Sequence, residues 1–341
     1  MTPSTRPSPP ETVAIAPGNK FAVIAVPEST AGLAPGPVID LGDGFAVSHA
    51  LPAGALDTWK ERLGGIHTEE LERTGLFLWS FRESATPEVL DDENRQLERD
   101  VLRLYLGLLV GMSNFSNGRL TVISGGVEDN VARARTLTTY PRTWRTPGSS
   151  CPSFTIARLR RVGELAKALR QHTNKPDNRG VRALRAFRQA AEARELDLRL
   201  HQFVRSTDAF LDSHRAEQFS QRLGRVCAGR CKAALDELYG IRSGIEHLHG
   251  PYKRMVKNPR GGRLLRLAHR CTQAEAIARY MLQTYLLQPS LWSTFEQVST
   301  IDALWNSPTT RLRSLWGPQL HFPSILRHFN LWLFKQEMGI G

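Results

Sequence analysis

The hydrophobic pattern of this chain changes near residue 150, and this change limits the folds open to it. Before that point, short apolar runs of strand length alternate with turn signals. After it, apolar residues recur every three or four positions almost throughout, which is typical of amphipathic helices. Prolines, a glycine and serines between 141 and 152 interrupt both patterns. The sequence therefore predicts a disordered tail over 1–20, an α+β domain over 21–150 and an all-α helical bundle over 151–341.

The first domain is predicted to combine a sheet with helices. A Gly-Asp-Gly turn at 42–44 separates two half-strands within 38–47, which indicates a hairpin. An acidic cap at 91–92 precedes apolar residues that recur at helical spacing up to Leu108. The other predicted elements are strands over 21–26, 76–80 and 119–124 and a short helix over 56–63.

The strongest helical stripe of the second domain begins at Cys227 and ends at Leu248. Its apolar residues repeat every three or four positions for about six turns, and a Gly-Pro pair follows it. Further on, Thr272 and Glu275 have the spacing of a capping box, which predicts that the next helix begins at 272. The remaining predicted helices contain residues 159–169, 181–187 and 196–211.

Formal charge is unevenly distributed between the two domains. Residues 1–150 contain 14 basic and 18 acidic side chains, whereas residues 151–341 contain 31 basic and 15 acidic ones. A genome-wide preference for arginine would raise the basic count in both halves, so it does not explain the difference. The basic second half therefore predicts a polyanionic partner.

The cysteine and apolar patterns bear on where the chain resides. Four irregularly spaced cysteines cannot staple 341 residues, which predicts reduced thiols and a cytoplasmic location. The longest apolar run, Leu104 to Met112, is about half the length that a bilayer requires. The first twenty residues lack the apolar region of a signal peptide. We therefore expect no membrane span.

Several familiar catalytic motifs are missing from the sequence. It contains no phosphate-binding loop, no dinucleotide fingerprint after a strand, no HExxH pair and no GxSxG elbow. The sequence therefore gives no support to the enzyme classes that depend on these motifs, and we expect no cofactor.

One segment of the second domain stands out because it joins an arginine to a histidine at the end of the striped helix. In LYGIRSGIEHLHGPY, over 238–252, Arg242 and His247 form an Arg-x4-His pair, and His249 follows. In this helical setting the segment resembles the motif helix of the HEPN superfamily, and its context resembles the Apea-like HEPN branch. The resemblance covers about residues 180–320. The family's first, second and closing helices are matched by 198–211, 218–223 and 272–287.

The resemblance implies a metal-independent RNA endonuclease that acts as a homodimer, with the two motif helices facing each other. Arg242 would bind the scissile phosphate, and His247 would be the general acid or base, with His249 in reserve. Ser243 occupies a position where the family more often has Asn, Asp or His, and Glu246 is a further supporting residue. Such a toxin-like hydrolase would act in phage defence or stress growth arrest. The first domain would then sense a trigger or bind a protein partner.

Helix geometry leaves other interpretations of the motif open. Five residues rotate by about 140° on a helix, so Arg242 and His247 flank the apolar stripe instead of sharing a face. Arg242 can pair with Glu246, its i+4 neighbour, while His247 caps the helix end. The bundle would then be a non-catalytic module for dimerisation and for binding nucleic acid or protein.

A basic segment follows the motif directly. Placed there, its cations could line an RNA groove and neutralise phosphates, or they could form an ordinary solvated face. A second strip, with arginines at 179, 182, 185 and 188, has the same two interpretations. The basic residues after the motif are Lys253, Arg254, Lys257, Arg260, Arg263, Arg266 and Arg270.

Two pairs of soft ligands raise the alternative of a zinc site. Cys227 and Cys231 are four residues apart, and His269 and Cys271 are two apart further along the chain. Together they could ligate zinc tetrahedrally. Cys227 and Cys231 also belong to the apolar stripe, however, and buried cysteine is more often a small hydrophobic residue of the core. We favour the core interpretation.

Overall fold

A computed structural model describes residues 13, 15–26, 38–172, 178–247 and 262–340. The chain forms two compact units, which are not continuous in sequence. Unit 1 contains residues up to 108 together with 117–142 and 153–166. Unit 2 contains 109–116, 143–152 and the chain from 167 onwards.

Unit 1 is built on a six-stranded antiparallel sheet with the strand order β2-β3-β4-β1-β5-β6. The predicted hairpin and the three predicted strands are confirmed. Phe21 of the central strand stacks on Trp59 at 5.7 Å and lies 6.0 Å from Trp79, and all three rings are buried. The strands are β1 (Asn19–Ala25), β2 (Ile39–Gly42), β3 (Phe45–Ser48), β4 (Phe77–Glu83), β5 (Leu120–Glu128) and β6 (Val131–Tyr140).

Three helices begin in unit 1, and the last residues of the second and third belong to unit 2. They are α1 (Ala55–Glu72), α2 (Asp92–Gly111) and α3 (Ile156–His172). The predicted helix over 56–63 is only the first half of α1, because Gly64, with φ of 73°, interrupts the helix before it resumes. The edge strand β6 was not predicted because most of its residues are only half-buried and its apolar alternation is weak.

The sequence pattern predicts a single domain boundary near residue 150, but the first half of α3, after that boundary, belongs to unit 1. The contacts of α3 explain this difference. Gly107 of α2 approaches α3 so closely that a Cβ atom there would lie 2.8 Å from the carbonyl oxygen of Val162. A Cβ on Gly163 would likewise lie 3.0 Å from the side chain of Leu41. The first half of α3 therefore packs with the sheet, although its helical periodicity resembles that of the bundle.

Unit 2 is predominantly helical, as its periodicity predicts. Helices α4 and α5 form a hairpin, and α5 also packs on α7 and on the long helix α8. A buried aromatic cluster that includes Phe210, Tyr285, Phe295 and Trp316 holds α5 and α8 to the shorter helices that follow. The helices are α4 (Arg179–Glu192), α5 (Leu196–Leu211), α6 (Ala216–Gly224), α7 (Lys232–Glu246), α8 (Gly262–Leu287), α9 (Ser290–Thr294), α10 (Val298–Asn306), α11 (Thr309–Trp316), a 3₁₀ helix (Phe322–His328) and α12 (Leu331–Glu337).

The motif helix is shorter than its apolar stripe predicts. Cys227–Ala228 forms a two-residue strand, β7, that pairs in parallel with β8 (Leu320–His321). Gly229 then adopts φ of 94°, which a helix cannot contain, and α7 begins only at Lys232. The prediction of a six-turn helix is therefore wrong: α7 has 15 residues, or about four turns.

The predicted capping box at Thr272 is also wrong, because α8 runs through this position without interruption. The Thr272 hydroxyl donates to the carbonyl oxygen of Ala268 at 3.0 Å, within the same helix. Glu275, the other half of the box, is buried and accepts a hydrogen bond from the backbone N–H of Asn114 at 3.0 Å. Thr272 thus bonds within its own helix and Glu275 makes a tertiary contact, so neither side chain caps a helix start.

Hydropathy along the helices gives a separate result. Within the described ranges, no helix combines the length and the apolar character needed to cross a bilayer.

Candidate functional site

Arg242 is fixed in place by acidic groups on two helices. Its Nη1 lies 3.1 Å from Oδ2 of Asp208 on α5, and its Nε lies 3.1 Å from Oε1 of Glu246, one turn further along α7. The guanidinium also stands over the ring of Tyr239 at 5.5 Å. The pairing of Arg242 with Glu246 that the i+4 spacing allowed is therefore confirmed, and Asp208 adds a partner that the spacing could not reveal.

Glu246 also connects Arg242 to a histidine of α5. Oε1 of Glu246 lies 3.4 Å from Nε2 of His201, so one carboxylate oxygen faces both an imidazole and a guanidinium. Burial lowers the pKa of His201, and the Glu246 carboxylate opposes this effect. The neighbouring cations Arg205 and Arg242 lower the pKa of His201 further.

Asp208 is held from several sides as well. Its carboxylate accepts hydrogen bonds from the backbone N–H of Ser213 at 3.2 Å and from the Ser213 hydroxyl. Burial raises the pKa of Asp208, while Ser213 and Arg242 act in the opposite direction. The carboxylate therefore depends on these partners to remain charged, and in return it orients the guanidinium of Arg242.

His247 lies at the C-terminal end of α7 and is exposed to solvent. Its backbone N–H donates to the carbonyl oxygen of Ser243 at 3.1 Å, so His247 is the residue that caps the helix. Arg242 and His247 thus occupy successive turns of one short helix, the arginine held by carboxylates and the histidine open to solvent.

A cleft of about 340 Å³ opens beside Arg242, between helices α4, α5 and α7. Four arginines and two aspartates line it, so its lining has an excess of positive charge. Ala186 and Ala209 contribute small side chains that leave the space between the helices open. The charged residues of the lining are Arg179, Arg182, Arg205, Asp208, Asp212 and Arg242.

Local sequence explains how α4 and α5 present these side chains. The short connection over 193–195 places the two helices side by side as a hairpin. Arg179 therefore meets the end of α5, where its Nη1 lies 2.7 Å from Oδ1 of Asp212. Asp212 adopts the left-handed conformation, with φ of 51°, that an aspartate tolerates at a helix end. Both members of this ion pair line the cleft.

Three of the basic residues predicted to bind nucleic acid lie on the described part of α8. Arg263 is exposed. Arg266 and Arg270 both bind Glu237 of α7, at 2.6 Å and 2.8 Å, and so clamp the two helices together. Their charges are therefore partly neutralised within the fold. His249, Lys253, Arg254, Lys257 and Arg260 lie outside the described residues.

The four side chains of the zinc alternative do not assemble into a site. Among the described residues, which include all four, no three His, Cys, Asp or Glu side chains form a group that could hold a metal ion. Cys227, Cys231 and Cys271 are free, buried thiols, and the ring of His269 packs edge-on against Phe329 at 4.4 Å. Burial raises the pKa of Cys227 to about 12, which disfavours the thiolate that zinc requires.

His201, Arg205 and Asp208 were not predicted as members of the site. A signal for them exists on α5, because His201, Arg205, Asp208 and Asp212 are spaced by four, three and four residues and so share one face of that helix. This polar face lies opposite the apolar stripe that packs into the core.

Comparison with known proteins returns no relative. No protein-family model matches the chain, and no curated protein or solved structure matches it.

Proposed function

We propose that unit 2 is a HEPN-type domain that cleaves RNA without a metal ion, through Arg242 and His247. The observation that supports this most strongly is how the side chains of Arg242 and His247 are placed at the end of α7. Arg242 is oriented by Asp208 and Glu246 at the wall of a basic cleft, and His247 is open to solvent one turn further on. A positioned cation and an accessible imidazole are the groups that this reaction requires.

The chemistry balances with these two groups alone. His247 takes the proton of a ribose 2′-hydroxyl as that oxygen attacks the adjacent phosphorus. The bond between phosphorus and the 5′-oxygen then breaks, and the imidazolium returns a proton to that leaving oxygen. Arg242 stabilises the additional negative charge on the phosphorane oxygens. The products are a 2′,3′-cyclic phosphate and a 5′-hydroxyl.

Asp208 and Glu246 are positioning residues in this account. A guanidinium held by two carboxylates has fewer accessible rotamers, so less conformational entropy is lost when it binds a phosphate. His201 holds Glu246 in turn, at 3.4 Å. His201 therefore orients Glu246, and Glu246 in turn orients the guanidinium of Arg242.

The assembly and cellular role belong to the same proposal. A homodimer would bring two α7 ends together and allow each active site to combine residues of both protomers. Unit 1 would sense a trigger or bind a protein partner, and the nuclease would serve phage defence or stress growth arrest in the cytoplasm. The formal charge of +12 supports RNA as the partner.

The experiment is a cleavage assay on end-labelled RNA in EDTA, with wild-type protein, His247→Ala and His328→Ala. His328 is an exposed histidine on the 3₁₀ helix and serves as the matched control. The proposal predicts cleavage by the wild type and by His328→Ala, and at least a hundredfold loss in His247→Ala. Equal cleavage by all three proteins would assign the activity to a contaminant and overturn the proposal.

A second function is favoured by the neutralisation of Arg242. Two carboxylates already balance its charge, as in a purely structural ion-pair network. Unit 2 would then bind nucleic acid without cutting it. This alternative predicts that the wild type and His247→Ala shift RNA equally in a gel and that neither cleaves it.

A further inference from the structure

Two arginines of the basic cleft have charges that the fold does not neutralise. Arg179 and Arg242 are paired with Asp212 and Asp208. Arg182 and Arg205 are exposed, line the same cleft, and form no ion pair with any described residue. The two aspartates therefore balance two of the four arginines, and the remaining positive charge is concentrated on Arg182 and Arg205.

The positions of these two residues follow from helical spacing. Arg182 lies one turn after Arg179 on α4, and Arg205 lies one turn before Asp208 on α5. Arg182 is thus adjacent to the Arg179–Asp212 ion pair, and Arg205 is adjacent to the Asp208–Arg242 ion pair. Two exposed guanidinium groups, one on each of two helices that line the cleft, can together bind one anion.

The floor of the cleft also suits a ligand. Ala186 and Ala209 lie where longer side chains would fill the space, and the cleft volume of about 340 Å³ is within the usual range for small-molecule sites. Ser213 and His214 add polar groups at one end. The space accommodates a phosphate group together with part of the sugar or base attached to it.

We infer that Arg182 and Arg205 form a phosphate-binding site in the cleft between α4, α5 and α7, beside Arg242, which lines the same cleft. Planar guanidinium groups bind phosphate oxygens in a bidentate manner, and two of them suffice for one phosphate group. The phosphate can belong to an RNA backbone or to a free nucleotide. The inference concerns binding alone and does not require that RNA be cut.

The test measures binding of a fluorescein-labelled oligouridine by fluorescence anisotropy, in EDTA and in the His247→Ala background so that the RNA stays intact. Removing both cations in Arg182→Ala/Arg205→Ala should weaken binding at least tenfold. The dependence of log Kd on log salt concentration should become shallower by about one to two. The matched control, Arg230→Ala/Arg311→Ala, removes two exposed arginines outside the cleft and should change Kd less than threefold.

Two further arms identify the source of the phosphate and control for folding. Calorimetry with ADP and with inorganic phosphate identifies the source of the phosphate. Binding of ADP would indicate a free nucleotide as the ligand. Binding of the oligouridine without binding of ADP or inorganic phosphate would indicate an RNA backbone. Arg182→Lys/Arg205→Lys retains both charges and should recover part of the affinity. Equal binding of all probes by the cleft and control variants would overturn the inference. Loss of RNA binding in the cleft variant, with no cleavage by any protein, would support the inference and reject the nuclease proposal.

Discussion

Arg242 of α7 and Asp208 of α5 form an ion pair of 3.1 Å between Nη1 and Oδ2, and both side chains are mostly shielded from solvent. The pair joins the motif helix to the helix hairpin that carries the cleft. It also fixes the guanidinium that we propose as the phosphate ligand. Stability and the proposed activity should therefore depend on the same contact.

Asp208→Asn should weaken both properties. The substitution leaves Arg242 with Glu246 as its acidic partner and removes a half-buried charge-assisted hydrogen bond, which costs about 1–3 kcal/mol. Urea unfolding measures this loss, and the EDTA assay should show slower cleavage. The control is Glu164→Gln, which breaks an exposed pair with Arg161 and should cost less than about 1 kcal/mol. Equal stability losses in the two variants would contradict the role given to Asp208.

His201 should make the fold less stable in mild acid. Burial places its folded pKa below the ordinary value of 6.5, so as the pH falls through 6.5 the unfolded chain takes up a proton first. The free energy of unfolding then decreases until the folded pKa is reached. Glu246 opposes the shift, so Glu246→Gln should lower the pKa of His201 further, as followed by NMR titration. An unchanged pH dependence of stability in His201→Gln would show that another group is responsible.

Glu275 should be among the most sensitive positions of the core. It is buried, contacts Arg279, lies 3.8 Å from Arg199 and accepts a hydrogen bond from Asn114. Glu275→Ala leaves two buried guanidinium groups without a carboxylate, which should cost about 3–5 kcal/mol in urea unfolding.

The control for Glu275 is an exposed glutamate of unit 2. Glu217→Ala, on α6, should change the free energy of unfolding by no more than about 0.5 kcal/mol. A similarly small effect of Glu275→Ala would mean that the two arginines reach other partners or solvent.

Cys227 should resist alkylation while the chain is folded. Burial raises its pKa from 9.0 to about 12, and iodoacetamide reacts with the thiolate. At pH 9.5 the native protein should leave Cys227 unlabelled, and the urea-unfolded protein should label it rapidly, as read by mass spectrometry of its peptide. The unfolded thiol ionises first, so stability should also fall between pH 9 and 12, and Cys227→Ala should remove that part of the decrease. Rapid labelling in the native state would contradict the burial of β7.

Local patterns predicted much of the fold. The hairpin at 42–44, the strand at 21–26 and the helix over 196–211 depend on turn chemistry and on a repeating period, which neighbouring residues specify. The start of α7 could not be predicted in this way. Cys227 continues the apolar stripe, but it belongs to a strand that pairs with Leu320, a residue far away in the sequence.

The motif residues were predicted, and their surroundings were not. Arg242, Glu246 and His247 lie on one helix, so their spacing already indicated the i+4 pair. Asp208 and His201 reach them from α5, and only the packing of α5 on α7 brings those groups together. The cleft likewise depends on how α4 and α5 pair, so Arg182 could be named from its strip of arginines but Arg205 could not.

The central claim is that Arg242 and His247 cut RNA by attack of its own 2′-oxygen. Mass spectrometry of the RNA ends produced in EDTA tests this most directly. The account predicts 2′,3′-cyclic phosphate and 5′-hydroxyl ends, their loss in His247→Ala, and no cleavage of a substrate with 2′-deoxyribose at the cut site. Ends with 3′-hydroxyl and 5′-phosphate, or RNA that the wild type binds and leaves intact, would contradict it.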